Sequence, residues 1–66
     1  MIKTLFTPKE AAEHLGIPEA TLAQWRSQRR GPPYVKLERL VRYRSSDLEA
    51  YIGKQLVETE VDKAHA

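Results

Sequence analysis

Gly31-Pro32-Pro33 divides the chain into two parts with different periodicities, and this break limits the fold more than any other feature. Neither proline has an N–H to give to a backbone ladder, and the residue before a proline is pushed away from helical geometry. Any helix upstream must therefore end by the glycine. Before the break, apolar residues recur at helical spacing, as Ala11, Ala12 and Leu15 and then as Leu22 and Trp25. After it the period falls to two: Val35 and Leu37 alternate with Tyr34 and Lys36, and Val41 and Tyr43 with Arg42 and Arg44. Helices precede a ribbon.

The helices carry their own boundaries. Thr7 is a cap, Pro8 suits the first helical position, and Glu10 completes a capping box with Thr7. Gly16, free to adopt the left-handed conformation, stops this helix after about two turns. Ile17 and Pro18 leave room only for a short turn before a second helix starts near Pro18 or Glu19. On its wheel Leu22 and Trp25 share one side, and Ala20, Gln24 and Ser27 the other.

Past the prolines, Glu38-Arg39-Leu40 is short enough to turn a hairpin. A lone hairpin is marginal in water, so its apolar face is expected to lean on the helices and its Lys36, Arg42 and Arg44 face to point outward. A second capping box, Ser46 to Glu49, opens a third helix with Leu48, Tyr51, Ile52 and Leu56 as its buried stripe. The order predicts a mainly α fold with a small β-hairpin, a winged helix-turn-helix: three helices, with a two-stranded antiparallel wing between the second and third. Residues 1–58 read as one domain and residues 59–66 as a polar, frayed tail.

Sixty-six residues suffice for one small core. The absence of cysteine removes disulfide and thiolate-metal chemistry and fits a reducing cytoplasm. No run is apolar and long enough for a signal peptide or a membrane span. His14 and His65 lack partners at metal-ligand spacing, and no nucleophile and base stand together. The expectation is a non-enzyme with no metal, cofactor, membrane or small-molecule ligand.

Charge is sorted along the chain. Residues 1–23 carry a net −1, residues 24–44 a net +6 and residues 45–66 a net −3. Such a block raises the prior for an anionic partner. In a helix-turn-helix the second helix enters the major groove of duplex DNA, which makes Glu19, Ala20, Thr21, Ala23, Gln24, Ser27 and Gln28 the candidate base-facing residues. Small side chains at 20 and 23 let the backbone approach base edges, and Gln24 can pair bidentately with adenine. Arg26, Arg29, Arg30, Lys36, Arg39, Arg42 and Arg44 are the candidate phosphate and wing contacts, with Arg39 placed to reach an adjacent minor groove and Glu38 opposing it. For Arg26 an ion pair with Glu49, Asp47 or another acid competes with a phosphate contact.

The segments "TPKEAAEHLGIPEATLAQWR", "GPPYVKL" and "VRYRSSDLEAYI" together resemble the small winged helix-turn-helix proteins that include phage excisionases and AlpA-type regulators, themselves similar to the DNA-binding half of MerR-like proteins. The wing turn departs from that pattern: Glu38-Arg39-Leu40 stands where a glycine is usual. The resemblance implies DNA binding without catalysis. In excisionases it further implies a recombination directionality factor that binds and bends DNA near an attachment site and steers an integrase toward excision in a bacterial cytoplasm; because a single module makes a small interface, several copies binding neighbouring sites cooperatively, or help from the integrase, are expected. An AlpA-like regulator at a promoter is the alternative. A protein-interaction module without DNA binding, using the basic ribbon and the third helix with Val57 and Val61, is a further one.

Overall fold

The computed structural model describes residues 3–58 of the chain. Elements follow in the order β1 (Leu5–Phe6), α1 (Pro8–Leu15), α2 (Glu19–Ser27), β2 (Val35–Leu37), β3 (Leu40–Arg44) and α3 (Ser45–Lys54). Three helices and a small antiparallel sheet make a winged helix-turn-helix. The tail expected over residues 59–66, with Val61, lies outside the described residues.

Local signals account for α1. The Thr7 hydroxyl accepts from the Glu10 N–H at 3.1 Å, and the Glu10 carboxylate accepts from the Thr7 N–H at 2.9 Å, so two otherwise unpaired donors are satisfied. That backbone bond, reinforced by Lys3 at 2.9 Å, holds the Glu10 carboxyl below the usual carboxylate range. At the other end Gly16 takes φ 73, as a C′ residue should. Ala11 and Ala12 are buried and small, which lets α1 lie close to its neighbours.

Helix α2 ends at Ser27, ahead of Gly31 as expected, and Arg29 takes the left-handed C′ conformation, with φ 58. Its N–H donates to the Arg26 carbonyl at 3.1 Å and the Arg30 N–H to the Trp25 carbonyl at 2.9 Å, the paired bonds of a Schellman motif. Gly31 has a separate reason to be glycine: at φ 88, a Cβ would sit 2.8 Å from the Trp25 ring.

The expected two-stranded wing between α2 and α3 is present as β2 and β3, with an added neighbour strand and a shorter loop. A short N-terminal strand, β1, pairs antiparallel with β3 (Leu5 with Arg44, Phe6 with Tyr43), so the sheet has three strands in the order β1-β3-β2. The hairpin loop has two residues, Glu38 and Arg39, because Leu37 pairs with Leu40. A three-residue Glu38-Arg39-Leu40 loop would place Lys36 beside Arg42; the shorter one pairs Lys36 with Val41 and Val35 with Arg42. A slip of one residue flips a strand's side chains to the other face. Lys36 therefore shares the inner face with Val41 and Tyr43, while Val35, Leu37 and Leu40 share the outer face with Arg42 and Arg44. Leu37 and Leu40 are 47% and 55% exposed.

β3 runs into α3 without a loop, and the Ser46 to Glu49 capping box is absent. Arg44 occupies the N-cap with no side-chain cap bond, and its guanidinium grips Asp47 bidentately, Nε at 2.7 Å and a terminal nitrogen at 3.1 Å. The core comprises Ala11, Ala12, Leu22, Tyr43 and Leu48, flanked by Phe6, Leu15, Ile17, Trp25 and Val41. Burying each large side chain contributes about 1.5–3 kcal/mol. Of the stripe expected on α3, Leu48 is buried and Tyr51 half-buried, but Ile52 and Leu56 are exposed, Leu56 at 70%. Helix α3 ends before Leu56 finds anything to pack on.

Candidate nucleic-acid interface

Helix α2 buries Leu22 and half-buries Trp25, whose ring lies 6.1 Å from that of Tyr51 on α3. That anchoring orients the remaining surface. Glu19, Ala20, Ala23, Gln24, Ser27 and Gln28 are exposed, and Thr21 is half-buried. The candidate base-facing residues thus lie on one helix turned away from the core, with alanine at 20 and 23 keeping its middle low.

The basic residues separate into three groups. At the end of α2, Arg26, Ser27, Arg29 and Arg30 line a shallow cleft of about 710 Å³ completed by Gly31, Pro32, Pro33 and Tyr34. The Schellman turn reverses the chain at the end of α2, where Arg29 and Arg30 both line the cleft. Arg30 also stacks its guanidinium over Trp25, 5.4 Å from the ring centroid.

Arg26 answers the alternatives left open by its position on the wheel with a third partner. Its Nη1 donates to the buried Tyr43 hydroxyl at 3.0 Å, and no ion pair to Glu49 or Asp47 forms. Glu49 instead meets His14 at 2.8 Å, and the Phe6 ring packs edge-on against that histidine at 5.5 Å.

The second group is the outer sheet face. Arg42 is half-buried and donates to the Val41 carbonyl at 2.7 Å, while Arg44 is committed to Asp47. The third comprises Arg39, exposed in the hairpin turn beside Glu38 (φ 58), and Lys36, exposed on the opposite face from Arg42. The ribbon therefore does not present Lys36, Arg42 and Arg44 as one row.

Sequence reasoning missed the bond between Arg26 and the Tyr43 hydroxyl and the Gly31–Tyr34 wall of the cleft. Only the 3.6-residue period of α2 pointed toward Arg26 as a boundary residue; nothing local linked it to position 43. Among the described residues no cluster of three or more His, Cys, Asp or Glu is placed to hold a metal, and no helix is long and apolar enough to cross a membrane.

A family model described as a helix-turn-helix domain matches residues 5–56, from β1 to just beyond α3. No curated protein matches the chain.

Proposed function

The chain belongs to this helix-turn-helix domain family and is a DNA-binding protein, and from that premise we propose that α2 reads the major groove while the arginines around it clamp phosphates. The observation that carries this reading is the adjacency of the small, polar, exposed face of α2 to the arginine-lined cleft at its end. Gln24 is assigned to adenine, Thr21 to a phosphate or a thymine methyl, and Glu19 to a cytosine amino group; Ala20, Ala23, Ser27 and Gln28 complete the contact surface. Arg26, Arg29 and Arg30 take phosphates beside the recognition helix. Arg39, Arg42 and Lys36 take those reached by the wing, and Arg44 contributes through its Asp47 pair.

The biological role we infer is that of an excisionase, a recombination directionality factor that binds and bends DNA near an attachment site and directs an integrase toward excision. The matched family includes excisionase-like and AlpA-like proteins, and the resemblance covers both helices, the Gly31-Pro32-Pro33 turn and the wing. Exposed Leu5, Leu37 and Leu40 on the sheet, with Ile52, Leu56 and Val57 at the far end of α3, supply apolar surface for cooperative self-association on DNA or for an integrase. A single module makes a small DNA interface, and cooperation between neighbours offsets that.

The deciding experiment is an integrase-dependent recombination assay with and without the protein, alongside gel shifts on DNA carrying repeated sites. Excision that depends on the protein, with stepwise bent complexes, supports the role. A single unbent complex and unchanged recombination would exclude it and leave promoter binding as the role of the same interface.

A further inference from the structure

We propose that Tyr43 is a positioning residue for DNA binding, holding Arg26 in the pose in which it receives a backbone phosphate at the cleft. The inference rests on the DNA-binding reading above and deepens it. Tyr43 is fully buried in the middle strand of the sheet, and the tilted ring of Tyr34, 5.8 Å away, lies against it. A phenylalanine would fill the same space. What the hydroxyl adds is an acceptor fixed by the core, and it is used by one group, Nη1 of Arg26 at 3.0 Å.

A guanidinium has five N–H donors, so a single bond to Tyr43 leaves the others available. Among the described residues no carboxylate is paired with Arg26; the ion pairs there join Lys3 to Glu10, His14 to Glu49 and Arg44 to Asp47. Arg26 is therefore half-buried with no carboxylate paired to it, and it lines a cleft together with Arg29 and Arg30. Arg30 lays its guanidinium over Trp25, and a phosphate oxygen at the cleft accepts charge-assisted bonds from the donors that Arg26 and Arg29 have left. Arginine normally loses much rotamer freedom on binding. Fixing it beforehand preserves affinity, by about threefold to tenfold for one long side chain.

Affinity for a mixed-sequence duplex, measured across a range of salt concentrations together with thermal unfolding, tests the idea. Arg26→Gln should weaken binding and make the slope of log affinity against log salt shallower by about 0.9, the signature of one lost phosphate contact. Tyr43→Phe should weaken binding by about threefold to tenfold with the slope unchanged, because the charge remains but is no longer held. Arg26→Lys should restore the slope and not the full affinity.

A purely structural pair gives another pattern: Arg26→Gln and Tyr43→Phe would shift the unfolding midpoint and leave affinity and slope untouched, which overturns the proposal. A Tyr43→Phe protein that folds and binds with unchanged affinity also overturns it, and if Tyr43→Phe does not fold, nitrogen-15 NMR of the Arg26 guanidinium in the unaltered protein decides, freely averaging side-chain signals overturning the proposal. Failure of the parent reading is distinguishable, since the unaltered protein would then show no salt-dependent duplex binding at all, and both inferences would fall.

Discussion

Lys36 stands directly opposite Val41 across the hairpin, and this pairing determines what the wing presents. With a two-residue loop, the apolar residues of β2 share a face with the arginines of β3 and leave the lysine on the core side. Leucines 37 and 40 consequently lie in the open at the wing's end.

That register makes Leu37 a nearly dispensable side chain for stability. Leu37→Ala should cost less than about 1 kcal/mol in urea unfolding, whereas Leu22→Ala, at a fully buried site, should cost about 2–5 kcal/mol. A Leu37 cost close to that of Leu22 would mean that the alternate register prevails in solution.

Arg29 combines a strained backbone with a proposed phosphate contact, and one substitution separates the two. A non-glycine residue at φ 58 costs about 1 kcal/mol, and glycine removes that cost while adding freedom to the unfolded chain. Arg29→Gly should leave stability within about 1 kcal/mol of the parent yet weaken duplex binding, with the salt slope shallower by about 0.9. Unchanged binding, measured by fluorescence anisotropy, would remove Arg29 from the interface.

Glu38 also has φ 58 and places a negative charge beside Arg39 at the wing tip. Glu38→Gly should preserve the hairpin and strengthen duplex binding several-fold at low salt, the gain fading as screening increases. Equal affinities at low salt would show that the tip stays clear of DNA.

The α1 cap makes a pH-dependent contribution whose sign follows from Glu10. Its carboxyl titrates below the ordinary range when folded, mainly through the Thr7 N–H, so the stabilisation is present above the unfolded pKa and is lost as pH falls through the folded one. Thermal midpoints of the parent and Glu10→Gln should therefore differ near neutrality and converge in acid. A gap that persists at the lowest pH would assign the effect to packing.

The helices were legible because their signals are local: Thr7 with Glu10, Pro8, Gly16 and the prolines at 32 and 33 act within a turn of where they stand. The exposed face of α2 followed from its period. Register was not legible, because a three-residue and a two-residue reading of Glu38-Arg39-Leu40 differ by one pairing that only cross-strand packing decides. Leu5-Phe6 is too short to alternate, and α3 starts at Ser45 with Arg44 at its N-cap, which puts Ser46 inside the first turn, where it cannot cap. The Arg26–Tyr43 bond joins two elements across the Gly31-Pro32-Pro33 break, so no local pattern reveals it.

The pairing of Leu5 with Arg44 also has a kinetic meaning. It joins positions separated by most of the domain, whereas α1, α2 and the hairpin close over short loops. The entropy of closing the longest loop is recovered only after the shorter ones exist, so β1 is expected to dock late, after the folding barrier. Loosening Leu5 or Phe6 should then leave the folding rate nearly unchanged and speed unfolding, making the N-terminal strand the clasp that sets how long the folded molecule lasts.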